Sequence, residues 1–138
     1  LAWLGKRATA GRIYEMPKPV IASLPGAAAG AGLGLALSCD IRLASEEAMI
    51  TTAFAKVGFA GDWGGTFFMT QLIGPARTRE LYYLSDRIEM EEAERLGLVN
   101  HVVPAGELES RTLDMARRIA SHRTATHRLA PVRHRTAR

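Results

Sequence analysis

The chain has 138 residues, of which 47% are hydrophobic and 23% are charged, and this balance is typical of one globular domain with a sizeable core. Its single cysteine, Cys39, excludes an internal disulfide, and its longest apolar run, residues 27–39, is too short and too rich in glycine to span a bilayer. The formal net charge of +4 comes from the end of the chain, because residues 122–138 hold five Arg, three His and no acidic residue.

The rest of the chain is predicted to alternate short strands with helices, which indicates an α/β fold. Residues 1–16 carry neither an initiator Met nor a capping signal, and they are expected to be the end of an upstream segment. Apolar periodicity, glycine and proline predict the elements that follow. They are a strand over residues 20–24, a helix from residues 30–32 to 38, strands over 40–44 and 49–54, a glycine-rich loop over 56–65, helices over 66–73, 75–84 and 88–97, a strand over 98–103 and a helix over 104–121.

A tight turn of Gly30, Ala31 and Gly32 stands where the first predicted strand gives way to the first helix. A helix N-terminus directs unpaired backbone N–H groups at one point, so the N–H groups of Ala31 and Gly32 are candidates for an oxyanion hole. Close packing of the helix against a sheet is an alternative explanation of the glycines. Dinucleotide binding is a poorer match, because glycines at 30, 32 and 34 depart from the G-x-G-x-x-G spacing.

Asp62 lies between glycines in the run GFAGDWGG, with Phe59 and Trp63 close by in the sequence. A partly apolar pocket raises the pKa of a carboxyl group and suits it to proton transfer. The alternative is a structural role, either in an Asx-turn or as the N-cap of the helix that follows at Gly64. No group of His, Cys and acidic residues has the spacing of metal ligands, so no metal is expected.

Three runs of sequence carry a resemblance to a known family: KPVIASLPGAAAGAGLGLALSCDIRLAS, KVGFAGDWGGTFFMTQLIG and ARTRELYYLSDRIEMEEAERLGLVNHVVP. They resemble the crotonase (enoyl-CoA hydratase/isomerase) superfamily, over residues 12–121 and most densely over 18–104. The resemblance implies repeated ββα units that form a spiral core, and C-terminal helices that assemble a homotrimer or hexamer. It also implies an acyl-CoA thioester as substrate, so that coenzyme A arrives with the substrate and no separate cofactor is needed.

The resemblance assigns roles to particular residues. It implies that the second backbone donor of the oxyanion hole is at Ala31, beside Gly32. The two glutamates that the family's hydratases use correspond to Gly34 and Phe54, neither of which transfers a proton. Asp62 stands where several isomerase-type members carry a catalytic aspartate, so it is predicted to shuttle a proton on an enolate, with hydration as the alternative reaction. The residues expected to line the substrate site are Gly30, Phe54, Phe59 and Trp63.

Two departures from the family's pattern accompany the resemblance. The N-terminal portion, which supplies the first oxyanion donor and much of the CoA-binding surface, is expected to be missing, and residues 122–138 are rich in Arg, His and Thr where the family's pattern continues as helices. We therefore expect a partial crotonase-like domain over residues 1–121 and a basic, irregular tail over 122–138, with a non-catalytic fragment or subunit as an alternative. The tail has no aromatic residue for stacking on bases, so a nucleic-acid partner is not expected. No signal peptide or membrane segment is recognised, and the expected location is the cytoplasm.

Overall fold

The computed structural model describes residues 9–122. The expectations for residues 1–8 and for the basic tail after residue 122 lie outside the described residues. In chain order the elements are α1 (Ala10–Glu15), β1 (Ile21–Leu24), β2 (Ala27–Ala29), α2 (Gly30–Ser38), β3 (Ile41–Ser45), β4 (Met49–Thr51), α3 (Gly65–Ile73), α4 (Pro75–Leu84), β5 (Ile88–Glu89), α5 (Met90–Leu96), β6 (His101–Val103) and α6 (Leu108–Ser121). Short 3₁₀ turns at Ala55–Val57 and Ala105–Glu107 complete the set.

The strands form two three-stranded sheets whose order is β1-β3-β6 and β2-β4-β5. The first sheet is parallel throughout, with Ile21 paired to Ile41 and Leu43 paired to His101. In the second sheet β2 and β4 are parallel, and β5 joins β4 in the antiparallel direction. Each unit thus places one strand in each sheet and then enters a helix, first as β1-β2-α2 and again as β3-β4-α3. This repeated ββα arrangement confirms the architecture that the family resemblance implied.

The main core joins both sheets to helices α1 to α5. Met69 and Leu98 are fully buried within it, and Leu33 and Leu37 of α2 are almost so. Burying one such side chain contributes about 1.5–3 kcal/mol. A smaller cluster attaches α6 to the first sheet, and it consists of Leu43, Val103 and Leu108 with partly buried neighbours. Among the helices of residues 9–122, none is long and apolar enough to cross a membrane.

Arg42 of β3 is a buried cation, only 3% exposed. Its Nε donates to the carbonyl oxygen of Leu98 at 2.7 Å, and its Nη1 donates to the carbonyl oxygen of Cys39 at 2.7 Å. Its backbone N–H donates to the side-chain oxygen of Asn100 at 2.8 Å. Burial lowers the pKa of Arg42, and the charges of Cys39 and Asp40 oppose that shift. The side chain therefore ties β3 to the segment that leads into β6.

Several element boundaries differ from the sequence prediction. A short helix, α1, stands where no element was predicted. Residues 27–29, for which no element was predicted, form β2, because backbone pairing with β4 stabilises three alanines of low strand propensity. The strand predicted over 49–54 ends at Thr51, since Ala53 has a positive φ of 62° and turns the chain away. Residues 88–89 pair with β4, so α5 begins only at Met90. The last strand and the last helix also begin later than predicted, at His101 and Leu108.

Candidate active site

The first turn of α2 is the backbone part of the candidate site. Strand β2 passes into α2 without an intervening loop, and Gly30 accommodates the junction with a φ of +49°. The residue before the helix is Ala29, whose methyl side chain provides no cap. The N–H groups of Ala31 and Gly32 therefore belong to a helix N-terminus that no side chain caps. Ala31 is half-buried and Gly32 is exposed. This is the end of a helix that attracts negative charge.

The segment between β4 and α3, residues 52–64, is called the Asp62 loop here and lies against one face of α2. Gly30 and Gly34 are four residues apart and share that face. A Cβ atom on Gly30 would lie 3.6 Å from Cζ of Phe54, and a Cβ atom on Gly34 would lie 3.2 Å from Cβ of Trp63 and 3.3 Å from its carbonyl oxygen. Glycine at both positions thus allows the loop to lie directly on the helix.

The Asp62 loop is anchored at its start and irregular along its length. Thr52 is 1% exposed, and its hydroxyl donates to the carbonyl oxygen of Leu81 at 3.1 Å. The hydroxyl oxygens of Thr52 and Ser85 are 2.8 Å apart, and the N–H of Phe59 donates to the carbonyl oxygen of Phe54 at 3.0 Å. The residues of the loop with positive φ are Ala53, Gly58, Gly61, Trp63 and Gly64.

Asp62 is exposed at the end of this loop. The prediction that it lies in a partly apolar pocket is therefore wrong for the described chain. One carboxylate oxygen accepts the N–H of Trp63 at 2.7 Å, and the Asp62 carbonyl oxygen accepts the N–H of Gly65 at 3.1 Å. The alternative prediction that Asp62 is the N-cap of α3 is also wrong, since the N-cap is Gly64 and no side chain caps the helix. A carboxylate has room for about four hydrogen bonds, so Asp62 keeps capacity for a substrate group.

The aromatic residues predicted to line the substrate site have different surroundings. Phe54 is half-buried and stacks on Tyr82, with ring centroids 6.3 Å apart and planes 7° from parallel. Phe59 is 69% exposed and Trp63 is 40% exposed. The structure thus brings Gly30, Phe54 and Trp63 to one face of α2, whereas Phe59 extends into solvent.

Tyr82 is the contact that sequence reasoning missed. It belongs to α4, is 8% exposed, and lies against Gly61 of the Asp62 loop and Gly65 at the start of α3. Burial raises the pKa of Tyr82 to about 12. Tyr82 and Thr78 are four residues apart in α4, and both are buried. This helical spacing is consistent with an inward-facing side chain at residue 82, but it does not indicate which residues that side chain contacts.

The candidate site is an open surface. Two clefts of about 370 and 520 Å³ lie away from these residues, one between α4 and α5 and the other between residues 18–21 and α6. Residues 9–122 contain no group of three or more His, Cys, Asp or Glu that could hold a metal ion. The chemistry available here is therefore that of backbone donors, one carboxylate and an aromatic surface.

The family model described as enoyl-CoA hydratase/isomerase matches residues 2–137. The chain belongs to the enoyl-CoA hydratase/isomerase family. This membership and the fold confirm the crotonase resemblance that the sequence suggested.

Individual relatives carry the names of two different reactions. The chain is 40% identical over 97 residues to a probable enoyl-CoA hydratase of Rhodobacter capsulatus, covering 70% of this chain and 38% of the relative. It is 37% identical over 113 residues to the 1,2-epoxyphenylacetyl-CoA isomerase of Escherichia coli, covering 82% and 43%. The chain thus spans about two fifths of the length of the curated relatives it matches.

A solved structure matches this chain over part of its own length. The crystal structure of an enoyl-CoA hydratase from Mycobacterium avium subsp. paratuberculosis superposes with a TM-score of 0.84 at 33% identity. The superposition covers 91% of this chain and 51% of that one. The two proteins therefore share the same fold over most of the present chain and about half of the solved one.

Proposed function

We propose that this chain is part of an acyl-CoA isomerase in which Asp62 moves a proton on an enoyl-CoA thioester. The observation that carries the proposal is the composition of the surface between α2 and the Asp62 loop. Gly34 and Phe54 stand at the positions that correspond to the glutamates of the family's hydratases, and Asp62 is the only acidic residue of the loop. Trp63, the next residue, touches the helix at Gly34.

The proposed reaction begins with removal of a proton from the α-carbon of a β,γ-enoyl thioester by the Asp62 carboxylate. The electron pair of the broken C–H bond spreads onto the thioester oxygen and forms a dienolate. The backbone N–H groups of Ala31 and Gly32 stabilise this oxyanion, and one such donor contributes about 3–4 kcal/mol in a transition state. Asp62 then returns the proton to the γ-carbon, so the double bond moves to the α,β position with no net change in atoms.

Hydration needs more than this surface offers. Addition of water requires a base that activates the water and an acid that protonates the α-carbon. Neither a glycine at 34 nor a phenylalanine at 54 performs either step, and the Phe54 ring covers Gly30. Hydration stays the second candidate because a relative named crotonyl-CoA hydratase, from Syntrophomonas wolfei, is 40% identical over 109 residues.

The test uses the full chain and the Asp62→Asn variant with two substrates, a β,γ-enoyl-CoA for isomerisation and an α,β-enoyl-CoA for hydration. The proposal expects isomerisation to fall by about 10²–10⁴-fold in Asp62→Asn, because a general acid and base is lost. Glu47→Gln, which changes an exposed acid beyond β3, should keep the original rate. Hydration that proceeds at full rate in Asp62→Asn would overturn the proposal.

Three further expectations belong to the same proposal. The substrate is an acyl-CoA thioester, with coenzyme A entering as part of it. The family resemblance supports a homotrimer or hexamer, which light scattering would measure, and a cytoplasmic location. If the purified chain binds acyl-CoA but neither isomerises nor hydrates it, the alternative of a non-catalytic fragment or subunit is favoured instead.

A further inference from the structure

We propose that Tyr82 is a positioning residue that fixes where the Asp62 carboxylate lies relative to the first turn of α2. This inference rests on the proposed role of Asp62 in proton transfer. Tyr82 itself lies in α4, outside both the oxyanion turn and the Asp62 loop. It acts through the backbone on either side of Asp62.

The Asp62 loop and the first residue of α3 meet Tyr82 at two points that flank Asp62. A Cβ atom on Gly61 would lie 2.9 Å from Cε1 of Tyr82, closer than real side chains approach. A Cβ atom on Gly65 would overlap the Tyr82 hydroxyl. Since Gly61 also has a φ of +115°, glycine there meets both a steric and a backbone requirement. The segment that carries Asp62 therefore lies on the edge of one tyrosine ring.

The same ring reaches the other half of the site through Phe54. The two rings stack with centroids 6.3 Å apart, and the Phe54 ring lies over Gly30 at the start of α2. Tyr82 thus contacts the Asp62 loop directly and the oxyanion turn through one intermediate side chain. A shift of this ring moves the acid–base group relative to the oxyanion donors, and a misplacement of about 1 Å costs about 10²-fold in rate.

The Tyr82 hydroxyl is a neutral group in this role. Burial raises its pKa to about 12, so it stays protonated at the pH of any ordinary assay. Loss of the hydroxyl therefore changes the shape of the side chain without removing a charge.

The first experiment compares Tyr82→Leu with Tyr83→Leu in the full chain. Tyr83 is the adjacent residue of the same helix and is 75% exposed, which makes it the matched control. We expect Tyr82→Leu to speed amide hydrogen exchange of residues 61–65 at least about tenfold and to lower kcat for isomerisation by about 10–100-fold, with KM changed less than about threefold. Tyr83→Leu should change neither. Unchanged exchange and kcat in a folded Tyr82→Leu protein would overturn the inference.

The second experiment keeps the inference testable if Tyr82→Leu does not fold. Gly65→Ala adds a methyl group where the Tyr82 hydroxyl lies, so we expect faster exchange of the loop and a lower kcat. Tyr82→Phe removes the hydroxyl and keeps the ring, so it should rescue Gly65→Ala when the two are combined. Failure of the rescue, with both single variants folded, would contradict the direct contact.

The two readouts separate this inference from the proposed function. If Asp62→Asn keeps full isomerisation, the proposed function fails whatever Tyr82 does. If Asp62→Asn is inactive while Tyr82→Leu leaves the loop and kcat unchanged, the positioning role alone fails.

Discussion

The two ββα units of the fold have the same order of elements and differ in how the second strand reaches the helix. In the first unit β2 ends at Ala29 and α2 begins at Gly30, with no residue between them. In the second unit the thirteen residues 52–64 separate β4 from α3. The direct connection offers backbone N–H groups at a helix N-terminus, whereas the long connection offers side chains, among them one carboxylate.

This difference divides the proposed chemistry between the units. Backbone donors at Ala31 and Gly32 do not depend on side-chain identity, so the first connection suits any thioester reaction that develops an oxyanion. Which proton moves is decided by side chains, and the carboxylate proposed to move it comes from the second connection. The reaction type is therefore expected to follow position 34 of α2 together with residues 52–64, rather than the backbone donors of the turn.

The anchor of the long connection gives the largest expected effect on stability. Thr52→Val keeps the shape of the side chain but removes the hydroxyl that donates to Leu81 and pairs with Ser85. The buried partners lose their hydrogen bonds, and the free energy of unfolding should fall by about 2 kcal/mol. Urea unfolding measures this loss.

Thr66→Val is the control for that change, because Thr66 is exposed in α3. We expect its free energy of unfolding to stay within about 0.5 kcal/mol of the original. Equal losses in the two valine variants would show that the buried Thr52 network does not hold the loop.

The contact between the two connections can be tested with two glycines of α2. No atom lies within 4 Å of a Cβ on Gly32, so Gly32→Ala should gain about 0.5–1 kcal/mol of stability from helix propensity. A Cβ on Gly34 meets Trp63 at 3.2 Å, so Gly34→Ala should be less stable than Gly32→Ala by about 1 kcal/mol or more. Thermal unfolding of both variants checks the difference, and equal gains would mean that the loop does not lie on the helix.

The smallest expected effect is the titration of Tyr82 beneath the long connection. Its pKa is raised from 10.0 to about 12 in the folded chain, so the folded state holds this proton more tightly than the unfolded state. Stability from this group is complete below pH 10 and is lost as the pH rises toward 12, by about 1 kcal/mol at pH 11.

Unfolding at pH 9 and pH 11 measures this slope in variants of two neighbouring tyrosines. Tyr82→Phe should remove the contribution, whereas Tyr83→Phe, at a position that is 75% exposed, should not. A slope that is the same in both variants would exclude Tyr82 as its source.

Local sequence predicted the elements whose signals are local. The start of α2 at Gly30 and the proline that begins α4 at Pro75 were predicted correctly. The three alanines of β2 and the two residues of β5 were missed, because their strand structure depends on pairing with β4. Short strands of this kind carry no period of their own.

In the candidate site, too, features with local sequence signals were predicted and contacts between distant residues were not. The motif around Asp62 predicted its place in a loop that precedes a helix, and the helix begins within one residue of the predicted position. The surroundings of Asp62 were predicted wrongly, since flanking aromatic residues in sequence do not enclose it: Phe59 is 69% exposed. Tyr82 was missed because its contact with the loop joins residues about twenty positions apart.

The most direct test of the account follows proton transfer in deuterated water by ¹H NMR, with the full chain and a β,γ-enoyl-CoA. The account predicts an α,β-enoyl-CoA as the product, with exchange or transfer of hydrogen at the α- and γ-carbons, and loss of both in Asp62→Asn. Formation of a 3-hydroxyacyl-CoA at equal rates in the original chain and in Asp62→Asn would contradict it.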